Sequence, residues 1–293
     1  MVKMQQVRDE VLNVDIIEKK YSDFSLRNVE FSILEGEKVA LLGRNGNGKS
    51  TILKCILDII NYDGKINILG QTVGGSNDSY KEYIGVVFDE FCFNQNLNIV
   101  KLNNIMSHLY KNWDSKIFMD YVECFKIPLK KSFSKFSKGM KVKVSLAVSL
   151  SHKAKVLVMD EPTSGLDPVF RREFKHVLEQ YIERENAAII FSTHITGDVE
   201  NFADRVILIK DGEVVVDDKV DGLLEKYMLY KGDSKKLSLL NQDNVFQLYE
   251  DKNKSEALII IEDNFVDEYS EFLSVPTLED IVAALCNDER NIL

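Results

Sequence analysis

Cysteine is scarce in this sequence, and no two cysteines lie close together. The four cysteines are Cys55, Cys92, Cys124 and Cys286, and they form no C-x-x-C pair. This spacing argues against a disulfide framework and against a cysteine-based metal site. The four histidines are equally scattered. We therefore expect the cysteines to be small buried side chains in a reducing cytosol.

Long apolar runs are also missing. A helix that spans a bilayer needs ~20 apolar residues, whereas the longest runs here, Ala187–Phe191 and Ala257–Ile261, have the length of strands. The N-terminal residues, Met-Val-Lys-Met-Gln-Gln, lack the apolar segment of a signal peptide. The sequence therefore predicts neither a membrane span nor a secretion signal.

Basic residues are outnumbered by acidic ones. With 37 lysines and arginines against 47 aspartates and glutamates, the formal net charge is −10. This balance argues against nucleic acid as the main partner, although it would still allow a local basic groove. The 45% apolar and 29% charged content is ordinary for a globular protein. The 293 residues are enough for one large α/β domain with an appendage.

One glycine-rich stretch carries the strongest chemical signal. It follows an apolar run, Lys38–Leu42, that predicts a buried strand, and it precedes Ile52–Leu57, which has helical spacing. Strand, glycine-rich turn and helix is the context in which G-x-x-x-x-G-K-[ST] binds phosphate. Glycines let successive N–H groups point at an anion, and the helix adds the positive end of its dipole. The residues that we expect to surround the phosphates are Gly43, Arg44, Asn45, Gly46, Asn47, Gly48, Lys49, Ser50 and Thr51.

Two side chains of this loop have roles of their own in the prediction. Lys49 can reach the outer phosphates as a point charge, and Ser50 can offer its hydroxyl to Mg²⁺. The alternative is a glycine turn with a chance lysine. Average composition gives such a match in roughly one chain in a hundred of this size, and the flanking strand and helix make a chance match rarer still.

A second signal is a pair of acids at the end of an apolar run. Val156–Met159 is followed by Asp160 and Glu161, and ligand sites of α/β sheets form at the carboxyl ends of strands. We predict that Asp160 holds Mg²⁺ and that Glu161 polarises an attacking water. The alternative is an Asp-Glu helix cap after a core strand. His194 follows another predicted strand, Ala187–Ser192, and can point at the same crevice, although a lone histidine there is more often structural.

Helical spacing dominates the middle of the chain. From about residue 96 to residue 151, apolar residues recur at helix-compatible intervals and no convincing strand interrupts them. We therefore predict a helical insert. Within it, Phe136–Lys141 predicts a Ser/Gly turn that opens a helix, with Ser137 as the N-cap.

The chain is accordingly predicted to be an α/β protein in two parts. Residues 1–220 contain the phosphate loop, the acid pair and the helical insert. Residues 221–293 are more polar, with strands predicted at Val245–Tyr249 and Ala257–Ile261 and a helix at Leu278–Leu285. We take this second part as a small α/β accessory domain.

Taken in order, the motifs resemble the ATP-binding subunit of an ABC transporter over roughly residues 10–220. Gly43–Thr51 is similar to the Walker A motif, and Phe136–Met140 lies where the family has its Leu-Ser-Gly-Gly-Gln signature. Val156–Glu161 is similar to Walker B, Ser164–Asp167 to the D-loop and His194 to the switch histidine. The resemblance implies a phosphate-loop NTPase core with a mostly parallel sheet, an N-terminal antiparallel β subdomain and a helical insert subdomain.

The resemblance also implies a cofactor and a mechanism. Two such domains pair head to tail, and each Mg²⁺·ATP lies between Walker A of one chain and Ser137 and Gly139 of the other. Lys49 holds phosphate charge, Glu161 activates water and His194 contacts the γ-phosphate. ATP closes the dimer and hydrolysis reopens it.

Several positions need separate comment. Tyr21 falls at the adenine-stacking aromatic of the family, the alternative being an ordinary edge-strand tyrosine. The signature departs from the family at Phe136, Lys138 and Met140, yet it keeps the serine and the glycine that approach phosphate. Asp89 stands where the family has its Q-loop glutamine. Its carboxylate can still bind Mg²⁺, but it adds negative charge near the γ-phosphate.

One nucleotide domain per chain, without a membrane span, resembles subunits that pair with a separate integral membrane permease. The resemblance implies a homodimer or a paired ATP-binding subunit, a cytoplasmic position at the inner face of the cell membrane, and no nucleic-acid partner. Pro276–Ile281 resembles the tail of the bacterial export-type branch. Phe88, Phe91 and Phe93 would then form a groove for a short cytoplasmic helix of the permease, or else they belong to the core.

Three other functions fit parts of the pattern. A non-transport ABC ATPase would carry two such domains, or a long coiled coil before the signature, and the sequence has neither. A GTPase is suggested only faintly, by Asn253–Glu256, far from the motif series. A regulatory ATP-binding module would not turn over, and the presence of Glu161 and His194 argues against it. We therefore predict an ATPase that powers a transporter, of the export type.

Overall fold

The computed structural model describes residues 9–251, 254–260 and 270–287. Among these residues, the centre is a six-stranded sheet with five parallel strands and one antiparallel edge strand. In spatial order the strands are β10 (Glu213–Lys219), β9 (Arg205–Lys210), β3 (Lys38–Leu42), β8 (Ala188–Thr193), β7 (Val156–Asp160) and β6 (Ile84–Val87). Every residue of β7 and β8 is buried, as expected for parallel strands that are covered on both faces. The predicted parallel core is confirmed.

A second, antiparallel sheet packs on one side of this core. In spatial order its strands are β2 (Ser25–Leu34), β1 (Glu10–Lys20), β4 (Asp63–Ile68) and β5 (Gln71–Thr72). Buried residues recur along β1 and β2 because one face of this sheet points inward. That face shares an apolar cluster with α1 (Lys49–Ile56) and with one face of the central sheet. This is the expected N-terminal antiparallel β subdomain.

The helical insert packs on the opposite face of the central sheet. It contains α2 (Ile99–Leu109), α3 (Ser115–Cys124) and α4 (Lys138–Ser149), and no strand interrupts residues 96–151, all of which are described. Its core is aromatic. The Phe133 ring meets the rings of Phe91 and Phe136 at centroid distances of 5.3 Å. The predicted helical insert is therefore confirmed.

The helices that follow the insert connect the strands of the central sheet. Helix α5 (Pro168–Glu185) begins at a proline, and Asp167 caps it by accepting hydrogen bonds from two N–H groups of the first turn. Helix α6 (Thr196–Glu200) follows β8, and α7 (Val220–Lys226) leads out of β10. Short 3₁₀ turns occur at Ser79–Tyr83, Phe133–Lys135, Gln242–Asn244 and Ser270–Phe272.

Beyond α7, the C-terminal part is a small antiparallel sheet with two helices among the described residues. In spatial order its strands are β12 (Val245–Glu250), β13 (Ser255–Ile260), β11 (Tyr227–Gly232) and β14 (Leu273–Ser274). The helices are α8 (Ser234–Leu237) and α9 (Leu278–Asn287). The sequence had indicated β12, β13 and α9, but not β11, β14 or α8. Asn253 of the faint guanine motif and Ile261 of the predicted strand lie outside the described residues.

Helix α9 packs the C-terminal part against the main core. Its residues Leu278, Ile281, Ala284 and Leu285 are buried in the same apolar cluster as the helical insert and α5. At its start, the Leu278 N–H donates a hydrogen bond of 2.8 Å to the Glu200 carboxylate at the end of α6. A boundary near residue 220 stays a prediction, because this cluster extends across it.

The cysteine prediction is half wrong. All four cysteines lie within the described residues as free thiols, but only Cys55 and Cys286 are buried. Cys92 lies in the loop after β6, and Cys124 ends α3 on its exposed side, so tertiary packing leaves both thiols accessible. Within the described part of the chain, no helix is long and apolar enough to cross a membrane.

Candidate functional site

The glycine-rich loop joins β3 to α1 at the carboxyl edge of the central sheet. A Cβ on Gly43 would lie 2.4 Å from the Ile209 carbonyl oxygen, and a Cβ on Gly48 would lie 2.4 Å from a Leu26 methyl group. Both glycines also have positive φ, +155° and +100°. Only glycine therefore fits these positions, which hold the loop against β9 and β2. The Asn47 side-chain amide adds a hydrogen bond of 2.8 Å to the Ile209 carbonyl.

The remaining loop residues differ in exposure. Arg44, Asn45 and Gly46 are exposed, and a Cβ on Gly46 would meet nothing within 4 Å. Thr51 is half-buried in α1. The loop is therefore anchored at its two ends and open in its middle, where an anion can approach its N–H groups.

Lys49 folds back over this loop. Its ammonium donates hydrogen bonds to the carbonyl oxygens of Gly43 (2.7 Å) and Arg44 (3.1 Å) and lies 4.0 Å from the Glu161 carboxylate. The side chain is only 6% exposed. Burial lowers the pKa of Lys49, and the nearby Glu161 and Asp160 carboxylates act against that shift. A phosphate group would supply Lys49 with a full negative charge in place of the two carbonyl dipoles.

Ser50 and Asp160 meet across the sheet edge. The Ser50 hydroxyl donates a hydrogen bond of 2.9 Å to Asp160 Oδ1, and Asp160 ends β7 with only 8% of its surface exposed. A hydroxyl beside a buried carboxylate is a hard oxygen pair, the donor type that Mg²⁺ prefers when phosphates complete its coordination. The residues present therefore fit a magnesium ion.

Glu161 and His194 are in direct contact. His194 Nδ1 lies 3.0 Å from Glu161 Oε1 and 2.9 Å from Oε2. Glu161 has a φ of +47°, a conformation that costs a non-glycine residue energy. This conformation lets the backbone turn as β7 ends, with the carboxylate between Lys49 and His194. The structure thus brings the three predicted catalytic residues together.

Ser192 is a site residue that the sequence analysis missed. Its hydroxyl donates a hydrogen bond of 2.5 Å to Asp160 Oδ1 and accepts one of 2.9 Å from the Glu161 N–H. It is fully buried at the end of β8, next to β7. The available signal was a hydroxyl residue at the carboxyl end of a buried strand, which sequence reasoning treated as the end of an apolar run.

Ser137 and Gly139 begin the first turn of α4, on the helical insert. The Ser137 hydroxyl accepts a hydrogen bond of 3.3 Å from the Met140 N–H, so the predicted N-cap is confirmed. Ser137 is exposed, and Gly139 approaches Leu166 of the D-loop segment, whose methyl lies 3.7 Å from an ideal Cβ on that glycine. Their contact with nucleotide stays a prediction.

Tyr21 lies in the turn between β1 and β2 and is 43% exposed. Its ring centroid is 6.5 Å from that of Phe24, whose edge lies 2.7 Å from an ideal Cβ on Gly48. The tyrosine is therefore at the rim of the phosphate loop, outside the strands. Its stacking on adenine stays a prediction.

Asp89, the third predicted magnesium ligand, is placed differently from Ser50 and Asp160. Its carboxylate forms an ion pair with Lys138 of the helical insert, and both side chains are 46% exposed. Among the described residues, no group of three or more acidic, histidine or cysteine side chains is arranged to hold a metal ion. Asp89 therefore does not join the Asp160 and Glu161 pair in this arrangement.

A cavity of about 510 Å³ opens between β6, α2 and α4. Phe88 and Phe93 line it, together with Met106, Leu109 and His152. Phe91 instead packs on Phe93 and on the insert's core at ring-centroid distances of 5.3 Å. Phe91 and Phe93 thus pack against the core, as one alternative predicted, while a permease helix in the cavity stays a prediction.

The fold and this site define a phosphate-loop ATPase, and comparison with known proteins gives the family. Residues 26–164 match the ABC transporter family. The lantibiotic transport ATP-binding protein SrtF of Streptococcus pyogenes is 30% identical over 215 residues, which cover 72% of this chain and 92% of the relative. The bacitracin transport ATP-binding protein BcrA of Bacillus licheniformis is 26% identical over 299 residues, covering 94% and 96%.

A solved ATP-binding subunit of an ABC transporter has the same core. It superposes with a TM-score of 0.68 at 25% identity, covering 73% of this chain and 92% of that one. The chain belongs to the family of ABC transporter ATP-binding proteins. It is an ATP-binding subunit of that family, and its reaction is the hydrolysis of ATP.

Proposed function

We propose that this chain supplies the energy of an ABC exporter. It binds Mg²⁺·ATP in a head-to-tail dimer, with a second copy or with a paired subunit, and the closing and opening of that dimer drives a separate membrane permease at the inner face of the membrane. The contact of Glu161 with both Lys49 and His194 carries the proposal. A module that only binds nucleotide has no use for a carboxylate held in this way.

Each residue of the site has its own part in hydrolysis. The N–H groups of the loop and Lys49 bind the phosphates, while Ser50 and Asp160 would hold Mg²⁺. The magnesium ion, when bound, supplies positive charge to the phosphate oxygens. Glu161 accepts the proton of the attacking water, and His194 orients its carboxylate through the contact of 3.0 Å.

Two exposed features fit the rest of the proposed nucleotide site. Tyr21 offers a ring at the rim of the loop, where adenine can stack. Ser137 and Gly139 lie at a helix start that is accessible from outside, so a second subunit's γ-phosphate can reach their N–H groups. In a head-to-tail dimer, Tyr21 and the loop of one chain would face Ser137 and Gly139 of the other, which favours the dimer.

The cavity beside α2 fits the permease contact. Much of its lining is apolar, including the exposed Leu109 at the end of α2. Asp78, Lys81 and Glu82 add charge at one side. A short amphipathic helix of the permease, with apolar residues on one face and charged residues at its ends, would bury this surface.

The names of the relatives support export. SrtF and BcrA are named for lantibiotic and bacitracin transport, and LnrL of Bacillus subtilis, 29% identical over 213 residues, is named for linearmycin resistance. The BcrA alignment extends over 94% of this chain, so it includes most of the C-terminal part.

The substitution Glu161→Gln tests the proposal. It keeps the shape of the side chain and removes the base, so ATP binding should persist while hydrolysis falls by about 100-fold or more. Glu183→Gln, on the exposed side of α5, is the matched control and should hydrolyse ATP like the wild type. Near wild-type turnover by Glu161→Gln would remove Glu161 from its assigned role.

The same variant tests the transport part. With ATP present, Glu161→Gln should remain in the closed dimer and bring down a membrane protein with several spans, in stoichiometric amount, from detergent-solubilised host membranes. A dimer without such a partner would contradict the transport proposal and indicate a soluble ABC ATPase.

A further inference from the structure

The Asp89–Lys138 ion pair joins two elements with different tasks. Asp89 follows β6, a strand of the nucleotide-binding sheet, whereas Lys138 is the first residue of α4 in the helical insert. Lys138 also lies between Ser137 and Gly139, the residues proposed to meet the nucleotide of a second subunit. The pair therefore connects a chain's own nucleotide site to the turn that it presents to its partner.

The position of Asp89 explains why its charge needs a partner. In the parallel pairing of β6 with β7, Val87 lies opposite Met159. Asp89 lies two residues beyond the end of β6 and Glu161 one residue beyond the end of β7, so both follow the carboxyl ends of neighbouring strands. A third free carboxylate there would repel the phosphates, and Lys138 neutralises it.

Lys138 also needs a partner for its charge. It occupies the first turn of α4, where the helix dipole disfavours a cation. That turn, Lys138-Gly139-Met140-Lys141, contains no acidic residue of its own. The Asp89 carboxylate across the loop supplies the missing negative charge.

A second contact strengthens the same connection. Lys141, one helical turn after Lys138, places its ammonium 5.5 Å from the centre of the Phe91 ring. Residues 89 and 91 are thus both attached to the first turn of α4. In addition, the stem of Lys138 lies 3.7 Å from an ideal Cβ on Gly165, in the D-loop segment. Lys138 therefore contacts the loop after β6 and approaches the D-loop at the same time.

We propose that Asp89 and Lys138 form an electrostatic link that positions the turn Ser137–Gly139, so that Asp89 is a positioning residue and not a magnesium ligand. The inference rests on the proposed function for the role of that turn. The link itself lies within one chain, so it can be measured without a permease.

The experiment is a double-mutant cycle on the full chain without nucleotide. Hydrogen exchange is measured for the Met140 and Lys141 amides, which donate to the hydroxyl and the carbonyl of Ser137. The four proteins are wild type, Asp89→Asn, Lys138→Gln and the double variant. Asp89→Asn should raise the exchange rate about two- to fivefold, the range that an exposed ion pair supports. In the Lys138→Gln background the same substitution should have no effect, because its partner is gone. Glu90→Gln, an exposed acid next to Asp89, is the matched control and should leave exchange unchanged.

A binding measurement separates this role from metal binding. In the Glu161→Gln background, the Mg²⁺ concentration that gives half-maximal ATP binding should be the same with Asp89 and with Asn at position 89. A shift of tenfold or more would make Asp89 a magnesium ligand and overturn the proposal. Unchanged hydrogen exchange in Asp89→Asn would overturn it as well, since the pair would then be a surface contact only. Neither result depends on whether the chain drives a permease.

Discussion

Ser192 shows how much of the site depends on a residue outside every motif. Its hydroxyl contacts both Asp160 and the backbone of Glu161, so it sets the distance between the proposed metal ligand and the proposed base. Neither contact could be predicted from the sequence, because Ser192 follows Glu161 by 31 positions and meets it only through strand pairing.

Removing this hydroxyl should slow catalysis more than it weakens binding. We expect Ser192→Ala to lower kcat about 10- to 100-fold with little change in KM, since supporting contacts of this kind typically have effects of that size. Ser149→Ala is the matched control, because that buried hydroxyl bonds only backbone carbonyls of Val86 and Ser145. Steady-state ATPase kinetics of the two variants test this prediction. Equal kcat values would contradict the role of Ser192.

His152 makes stability depend on pH. Burial lowers the pKa of His152, which is 1% exposed and stacks on Tyr110 at 4.0 Å, while its hydrogen bond to the Glu82 carbonyl opposes the shift. Below the ordinary value of 6.5, the unfolded chain binds a proton that the folded chain does not. The free energy of unfolding should therefore fall as pH drops from 6.5 through the lowered pKa.

Urea unfolding at pH 7.5, 6.5 and 5.5 measures this fall. His152→Gln should reduce the loss at pH 5.5, because it cannot titrate. His176→Gln, at an exposed position of α5, serves as the control and should behave like the wild type. An identical loss in His152→Gln would assign the acid sensitivity to other groups.

At the scale of elements, prediction succeeded where a single run of residues determines the structure. The strands β3, β7 and β8 each contain an unbroken run of four apolar residues. Such features need no information from distant parts of the chain. They are also the elements that bring the loop, the acid pair and His194 to one edge of the sheet.

Prediction failed where an element exists because of its neighbours. Strand β11 has no regular alternation, and pairing with β13 and β14 makes it a strand. Strand β14 has two residues and α8 has four, too few for any periodicity. The Asp89–Lys138 ion pair could not be predicted either, because the two residues lie 49 positions apart. Each of them, taken alone, is only a departure from a motif.

At the scale of the whole molecule, the C-terminal part shares a core with the ATP-binding part. Ile281 of α9 is fully buried in the cluster that also contains Phe174 of α5 and Phe202. We expect Ile281→Ala to lower the free energy of unfolding by about 2–5 kcal/mol, the usual cost of removing a large buried side chain. Because the core is shared, the whole denaturation curve should shift as one transition.

The half-buried neighbour Val282 is the control for this prediction. Val282→Ala should change stability little, because its side chain is only packed against the edge of the cluster. Denaturation followed by both tyrosine fluorescence and circular dichroism shows whether the transitions coincide. A separate early transition in Ile281→Ala would mean that residues 221–293 fold as an independent domain.

The position of α9 in the chain also matters while the protein is being made. About 70 residues separate Leu208 of β9 from Leu278, which helps to cover the same core. At roughly 5–20 residues per second, a ribosome takes on the order of 4–14 s to synthesise that interval. During this time the apolar surface around Phe202, Val206 and Leu208 is without its final cover on every nascent chain. Chaperones that shield this surface during synthesis should therefore raise the fraction of chains that reach the native state.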